Sequence, residues 1–130
     1  METIFRLTTI LPVFLLALAV HESAHAWTAY RLGDPTGKMM GRVTLNPLPH
    51  LDPIGTIMML ASIIFPGFIF IAWAKPVSVN IYNFRHPRRD FAITSIAGPV
   101  SNLFQAYLWY GLLLFLANLR LPYGFFPEFF

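Results

Sequence analysis

Two long stretches of this chain, residues 53–74 and 91–119, hold no charged residue. A helix crosses the hydrocarbon core of a bilayer with about 20 mainly apolar residues. The first stretch is therefore read as a spanning helix over residues 54–74, and the second as one over residues 92–119. Gly98-Pro99 sits near the start of the latter, so that helix is either kinked there or begins at Pro99. A third span covers residues 7–30. Its first part, residues 7–20, resembles the apolar region of a secretory signal with Ala17-Leu18-Ala19 as a cleavage site. The apolar pattern, however, continues past His21, Glu22 and His25 to Tyr30, giving one helix of spanning length with ionisable groups inside it.

Only 12% of the 130 residues are charged, half the usual share of a soluble domain. That excludes a disordered chain, a coiled coil and a nucleic-acid binder with a dense basic face. The absence of cysteine removes disulfides, thiolate metal sites and thiol nucleophiles together. The fold class expected is an all-α polytopic membrane protein of about three transmembrane helices. A short β element, Gly41-Arg42-Val43-Thr44-Leu45, is expected after the first helix, because its residues alternate. It is preceded by Gly33-Asp34-Pro35-Thr36-Gly37, a strong turn signal. With three spans, the Lys and Arg residues divide five to four between the two faces, which does not decide orientation.

His21-Glu22-Ser23-Ala24-His25 is an HExxH motif. Residues four apart on a helix share a face, so both imidazoles can reach one metal ion while Glu22 reaches a water beside it. A zinc ion held this way lowers the pKa of its water, and the carboxylate serves as general base. Outside a membrane, two histidines on one helix face are as often merely solvated. Inside a span, three ionisable groups within five positions are costly, and such groups mark functional sites. Ala17, Ala19, Ala24, Ala26 and Ala29 keep the helix slim, which suits close helix contact and also plain helix propensity.

The stretch from His21 to Trp27, followed by Arg31-Leu32-Gly33-Asp34-Pro35-Thr36, resembles the first core segment of the site-2 protease family. These proteins are intramembrane zinc metalloproteases. Further matches to its small prokaryotic members are Gly41-Arg42-Val43-Thr44-Leu45-Asn46-Pro47, His50-Leu51-Asp52-Pro53-Ile54-Gly55-Thr56 and Trp73-Ala74-Lys75-Pro76-Val77. Asn83-Phe84-Arg85-His86-Pro87-Arg88-Arg89-Asp90 and Ala97-Gly98-Pro99-Val100-Ser101-Asn102 complete the set, so the resemblance covers nearly the whole chain. It implies one transmembrane metalloprotease-like domain over residues 1–130, with Zn2+ as cofactor, His21 and His25 as ligands and Glu22 as catalytic base. It also implies hydrolysis of a peptide bond in a transmembrane protein, as in regulated intramembrane proteolysis, in a prokaryotic inner membrane.

Within that resemblance, Gly41, Val43, Leu45 and Asn46 correspond to a strand that pairs with unwound substrate, a use consistent with strand addition at an open edge. Asn102 either bonds to substrate or to the HExxH helix, or simply packs between helices. Arg85, Arg88 and Arg89 suit lipid phosphate or a solvated loop. The family's third zinc ligand is an Asp in an Asp-Gly pair on a further helix, and this sequence has no Asp-Gly pair. The expectation is therefore a C-terminally truncated chain lacking the final helix, or a ligand from a homo-oligomeric partner, or one from His50 or Asp52, or an inactive site. Asp-Pro at 52–53 also reads as a helix start. The alternative function is a non-catalytic membrane protein that binds another helix, and no nucleic-acid partner is expected.

Overall fold

The computed structural model describes residues 1–65, 67 and 71–119, and all of its regular structure is helical. Four α-helices follow in order: α1 (Glu2–Leu32), α2 (Thr36–Met39), α3 (Pro53–Ile64) and α4 (Pro87–Asn118). Single 3-10 turns at Leu48–His50 and Ile81–Asn83 punctuate the two connections. Residues 120–130, aromatic-rich from Pro122 onward, lie outside the described residues.

α1 and α4 contain the first and third expected spans and are long and apolar enough to cross a membrane. Their most apolar stretches are only 6% and 0% buried within the chain. A core helix of a water-soluble domain would hide that surface, whereas a large exposed apolar area fits lipid contact. α4 runs unbroken through Pro99, with Pro87 rather than Pro99 at its start. α1 closes on Gly33, whose φ of 115° lets its N–H return to the carbonyls of Ala29 and Tyr30.

The second expected span takes another form. Residues 54–74 are helical only to Ile64, and twelve residues rise about 18 Å, short of the roughly 30 Å core. Pro66 in the sequence disfavours helical geometry at the residue before it, and Phe65 indeed leaves the helix with φ −110° and ψ 79°. Ala74 then forms an antiparallel bridge with Leu51. Leu51 and Ala74, at the two ends of this stretch, thus lie side by side. Apolar composition signalled the environment of this segment but not its continuity.

The β element over Gly41–Leu45 is also replaced, and no strand occurs among the described residues. Gly41 turns with φ 71°, and the Arg42 N–H bonds back to the Gly37 carbonyl. Thr44 and Asn46 side chains accept from the N–H groups of Asn46 and Leu48. Such local side-chain bonds offer the backbone an alternative to a ladder.

α1 and α4 pack antiparallel: Thr94 meets His25, Gly98 meets both histidines, and Asn102 shares a cavity with His21. The buried stripe of α1 is Ala19, Glu22, Ala26 and Ala29, a spacing of three and four that marks one helix face. One carboxylate therefore stands in a row of methyl groups. α3 adds Gly55, Met59 and Ile63 to the interior, and Gly55 is so close to the Trp73 carbonyl that any Cβ would collide with it.

Asp34 joins the two polar connections. Its carboxylate accepts from Thr36 N and Oγ1, from Asn80 N at 2.8 Å and from Asn83 Nδ2 at 2.8 Å. Burial pushes this carboxyl up, but the four donors outweigh it and hold it below the ordinary value.

Candidate metal and catalytic site

The HExxH turn sits in the C-terminal third of α1, beneath the close approach of α4. His21 and His25, one turn apart, aim their Nε2 atoms at each other across 3.2 Å, with ring planes 78° apart. Two imidazole nitrogens bound at about 2.05 Å to one tetrahedral zinc ion stand about 3.3 Å apart. The pair thus has the spacing of two ligands to one ion. The His25 Nδ1–H donates to the Thr94 carbonyl at 2.7 Å, which leaves the Nε2 lone pair for a metal. Orienting a ligand histidine through its second nitrogen is what metal sites require. The residues present therefore fit a zinc ion as two of its ligands.

Gly98 makes this approach possible. A Cβ there would run into the Nε2 atoms of both histidines, so the absent side chain is the space in which the rings meet. Glu22 is 9% exposed and borders two cavities. One, of about 340 Å³, is lined by Glu22, His25, Thr94 and the extended segment that includes Ala74, Val77 and Val79. The other, of about 230 Å³, brings His21, Glu22 and Asn102 together with Phe14 and Trp73. A carboxylate beside both histidines and open space is placed to exchange a proton with a water there.

Of the residues singled out in the sequence, His21, Glu22, His25 and Asn102 come together. Gly41, Val43, Leu45 and Asn46 line neither cavity, and Leu45 is 63% exposed. The wall beside Glu22 is built by residues 74–79 instead. The two local candidates for a third ligand are otherwise engaged. Asp52 caps α3 by accepting from Ile54 N and Gly55 N, and His50 is buried with Nε2 on the Thr44 carbonyl. Among the described residues, no three His, Cys, Asp or Glu side chains converge on one point. Thr94 was not singled out, because its contribution is a backbone carbonyl, which no residue type signals.

This is an HExxH helix with converging histidines, held in a bundle of membrane-length helices. Comparison with known proteins gives the same class. "Putative zinc metalloprotease YwhC" of Bacillus subtilis is 48% identical over 99 residues, 76% of this chain and 42% of that protein. "Putative zinc metalloprotease Rip2" of Mycolicibacterium smegmatis is 35% identical over 105 residues, and Rip2 of Mycobacterium tuberculosis H37Rv is 34% identical over 95. No family model and no solved structure matches the chain. The chain is similar, over about three quarters of its length, to proteins named putative zinc metalloproteases. It spans about two fifths of the length of these curated relatives.

Proposed function

We propose that this chain carries the HExxH half of an intramembrane zinc metalloendopeptidase that cuts a peptide bond of a transmembrane protein in a bacterial inner membrane. The observation that carries the reading is the pair of Nε2 atoms at 3.2 Å, with His25 oriented through Thr94. His21 and His25 would hold the ion. Bound zinc supplies Lewis acidity toward water and toward a peptide carbonyl.

Glu22 takes a proton from the attacking water and passes it to the leaving amine. The alanine stripe around it keeps bulk water away, while the two cavities give water and an extended substrate access to the same carboxylate. Asn102, which lines the second cavity, would donate to a substrate carbonyl. A helical substrate must unwind to enter, because its carbonyls are otherwise bonded along the helix. Completion of a tetrahedral site calls for a third ligand, which we assign to a segment outside the described residues or to another chain.

The test is zinc content and cleavage of a model transmembrane substrate by purified protein, beside Glu22→Gln and His21→Ala. Glu22→Gln is expected to keep zinc and lose cleavage, and His21→Ala to lose both. A wild type without zinc, matched by both variants in every assay, would overturn the protease reading and favour a helix-binding role.

A further inference from the structure

The wall beside Glu22 is anchored along its length. At one end the Lys75 N–H donates to the His50 carbonyl at 2.9 Å, and the buried Arg42 guanidinium donates to the Lys75 carbonyl at 3.2 Å. At the other end the Asn80 N–H donates to the Asp34 carboxylate at 2.8 Å. Between these ends Val77 is backed by Gly37. A Cβ on Gly37 would stand 3.0 Å from Val77 Cγ1 and 3.1 Å from Ala26 Cβ, so the glycine backbone closes on the valine and on α1 together.

Successive side chains of an extended segment point to opposite sides. Val77 and Val79 are half-buried and line the cavity of about 340 Å³, while Ser78 between them is exposed and does not line it. Phe91 and Thr94, three residues apart on one face of α4, line the same cavity with Glu22 and His25. Phe91 is 47% exposed, which leaves the cavity an apolar rim. Apolar side chains of two distant segments thus share one space with the carboxylate and an imidazole of the HExxH turn.

We propose that this cavity is the pocket for an uncharged, apolar side chain next to the scissile bond, with Val77, Val79 and Phe91 as its specificity-determining residues. An extended chain advances only about 3.3 Å per residue, so a side chain seated beside Glu22 belongs to a residue flanking the attacked carbonyl. An anionic side chain would meet the Glu22 carboxylate, and a cationic one would pair with it and occupy the base. A wall held at both ends does not yield to a larger group, and in an apolar pocket one methylene is worth about 10–200-fold. The proposal rests on the reading of Glu22 as the base at the cleaved bond, and its test does not depend on cleavage.

The chain has no cysteine, so Val77→Cys, Ser78→Cys and Val79→Cys each carry a single thiol. Each purified full chain, kept in chelator so that nothing is cut, is oxidised beside a Leu/Ala transmembrane peptide. That peptide has a central Gly-Pro break and one Cys walked along it. Val77→Cys and Val79→Cys are expected to form a disulfide at the same peptide position or its neighbour, and Ser78→Cys far less. With Leu at that position, a peptide lacking Cys should compete with this linking at a concentration about 10-fold or more below its Ala and Asp forms. Val79→Phe, added to Val77→Cys, should remove the advantage of Leu over Ala, and Val79→Ala should shift preference toward Phe. Equal or absent linking from all three positions, equal competition by the Leu and Asp forms, or a Leu-to-Ala ratio unchanged in both Val79 variants would overturn the pocket. These preferences in a chain that binds no zinc and cuts nothing would support the pocket and sink the protease reading instead.

Discussion

Gly98→Ala is the smallest change that should dismantle the two-histidine site while leaving both long helices in place. The added Cβ would stand less than 3 Å from Nε2 of His25 and of His21, where ordinary contact begins at 3.4 Å. Relief requires the rings, or α4 as a whole, to move by about 1 Å. If α4 moves, overpacking of this kind costs about 1–3 kcal/mol of stability. If the rings move, each nitrogen shifts by half the length of a metal bond, and a misplacement of 1 Å costs about 100-fold in a reaction that depends on geometry. Gly111→Ala in the same helix is the control, since nothing lies within 4 Å of that position. It should be neutral, or stabilising by up to about 1 kcal/mol from helix propensity. The assays are zinc affinity by competition with a chromophoric chelator and the thermal midpoint by circular dichroism, both in detergent. A Gly98→Ala protein with the zinc affinity and midpoint of the Gly111→Ala protein would refute the argument that the rings meet in glycine's vacated space.

Three further outcomes follow from individual contacts. Asp34→Ala should cost roughly 3 kcal/mol, since hydrogen bonds to a charged acceptor are lost and their donors stay behind. Because its folded-state pKa lies below the ordinary 3.8, its contribution is fully present above that pH and is lost as pH falls further; acid unfolding of the Ala variant should therefore lack that component. Gly55→Ala would press on the Trp73 carbonyl, and a lowered thermal midpoint should show the segment at Trp73 and Ala74 displaced; an unchanged midpoint would contradict that packing. Thr94→Val should keep or raise the midpoint, because the Thr94 hydroxyl is buried without a partner while His25 uses the backbone carbonyl. A loss above about 1 kcal/mol would show that the hydroxyl matters after all.

Much of the site was legible because its parts are local. His21 and His25 lie about one turn apart, so periodicity alone fixes their shared face with Glu22 about 100° round it, and Asp52-Pro53 announced the cap that starts α3. What escaped depends on contacts between distant residues. The wall beside Glu22 comes from residues 74–79 because Ala74 bridges to Leu51, and neither residue's chemistry advertises the pairing. Gly41–Asn46 has the alternation of a strand, but Thr44 and Asn46 satisfy the backbone locally. The stretch 54–74 is apolar throughout, yet Pro66 and Gly67 interrupt it, and hydropathy does not distinguish a crossing from a return.

The bond between His25 and the Thr94 carbonyl spans 69 positions, which has a consequence for the order of synthesis. At about 5–20 residues per second, the ribosome needs roughly 3–14 s between the two. During that interval α1, long and apolar enough to cross a membrane, carries two imidazoles and a carboxylate that α4 has not yet covered. Such groups are costly in lipid, so the nascent helix has reason to stay near the translocation channel or to ride toward the surface until α4 arrives. Assembly of the two-histidine face thus waits on the synthesis of α4, timed by translation rather than by the helix that carries it.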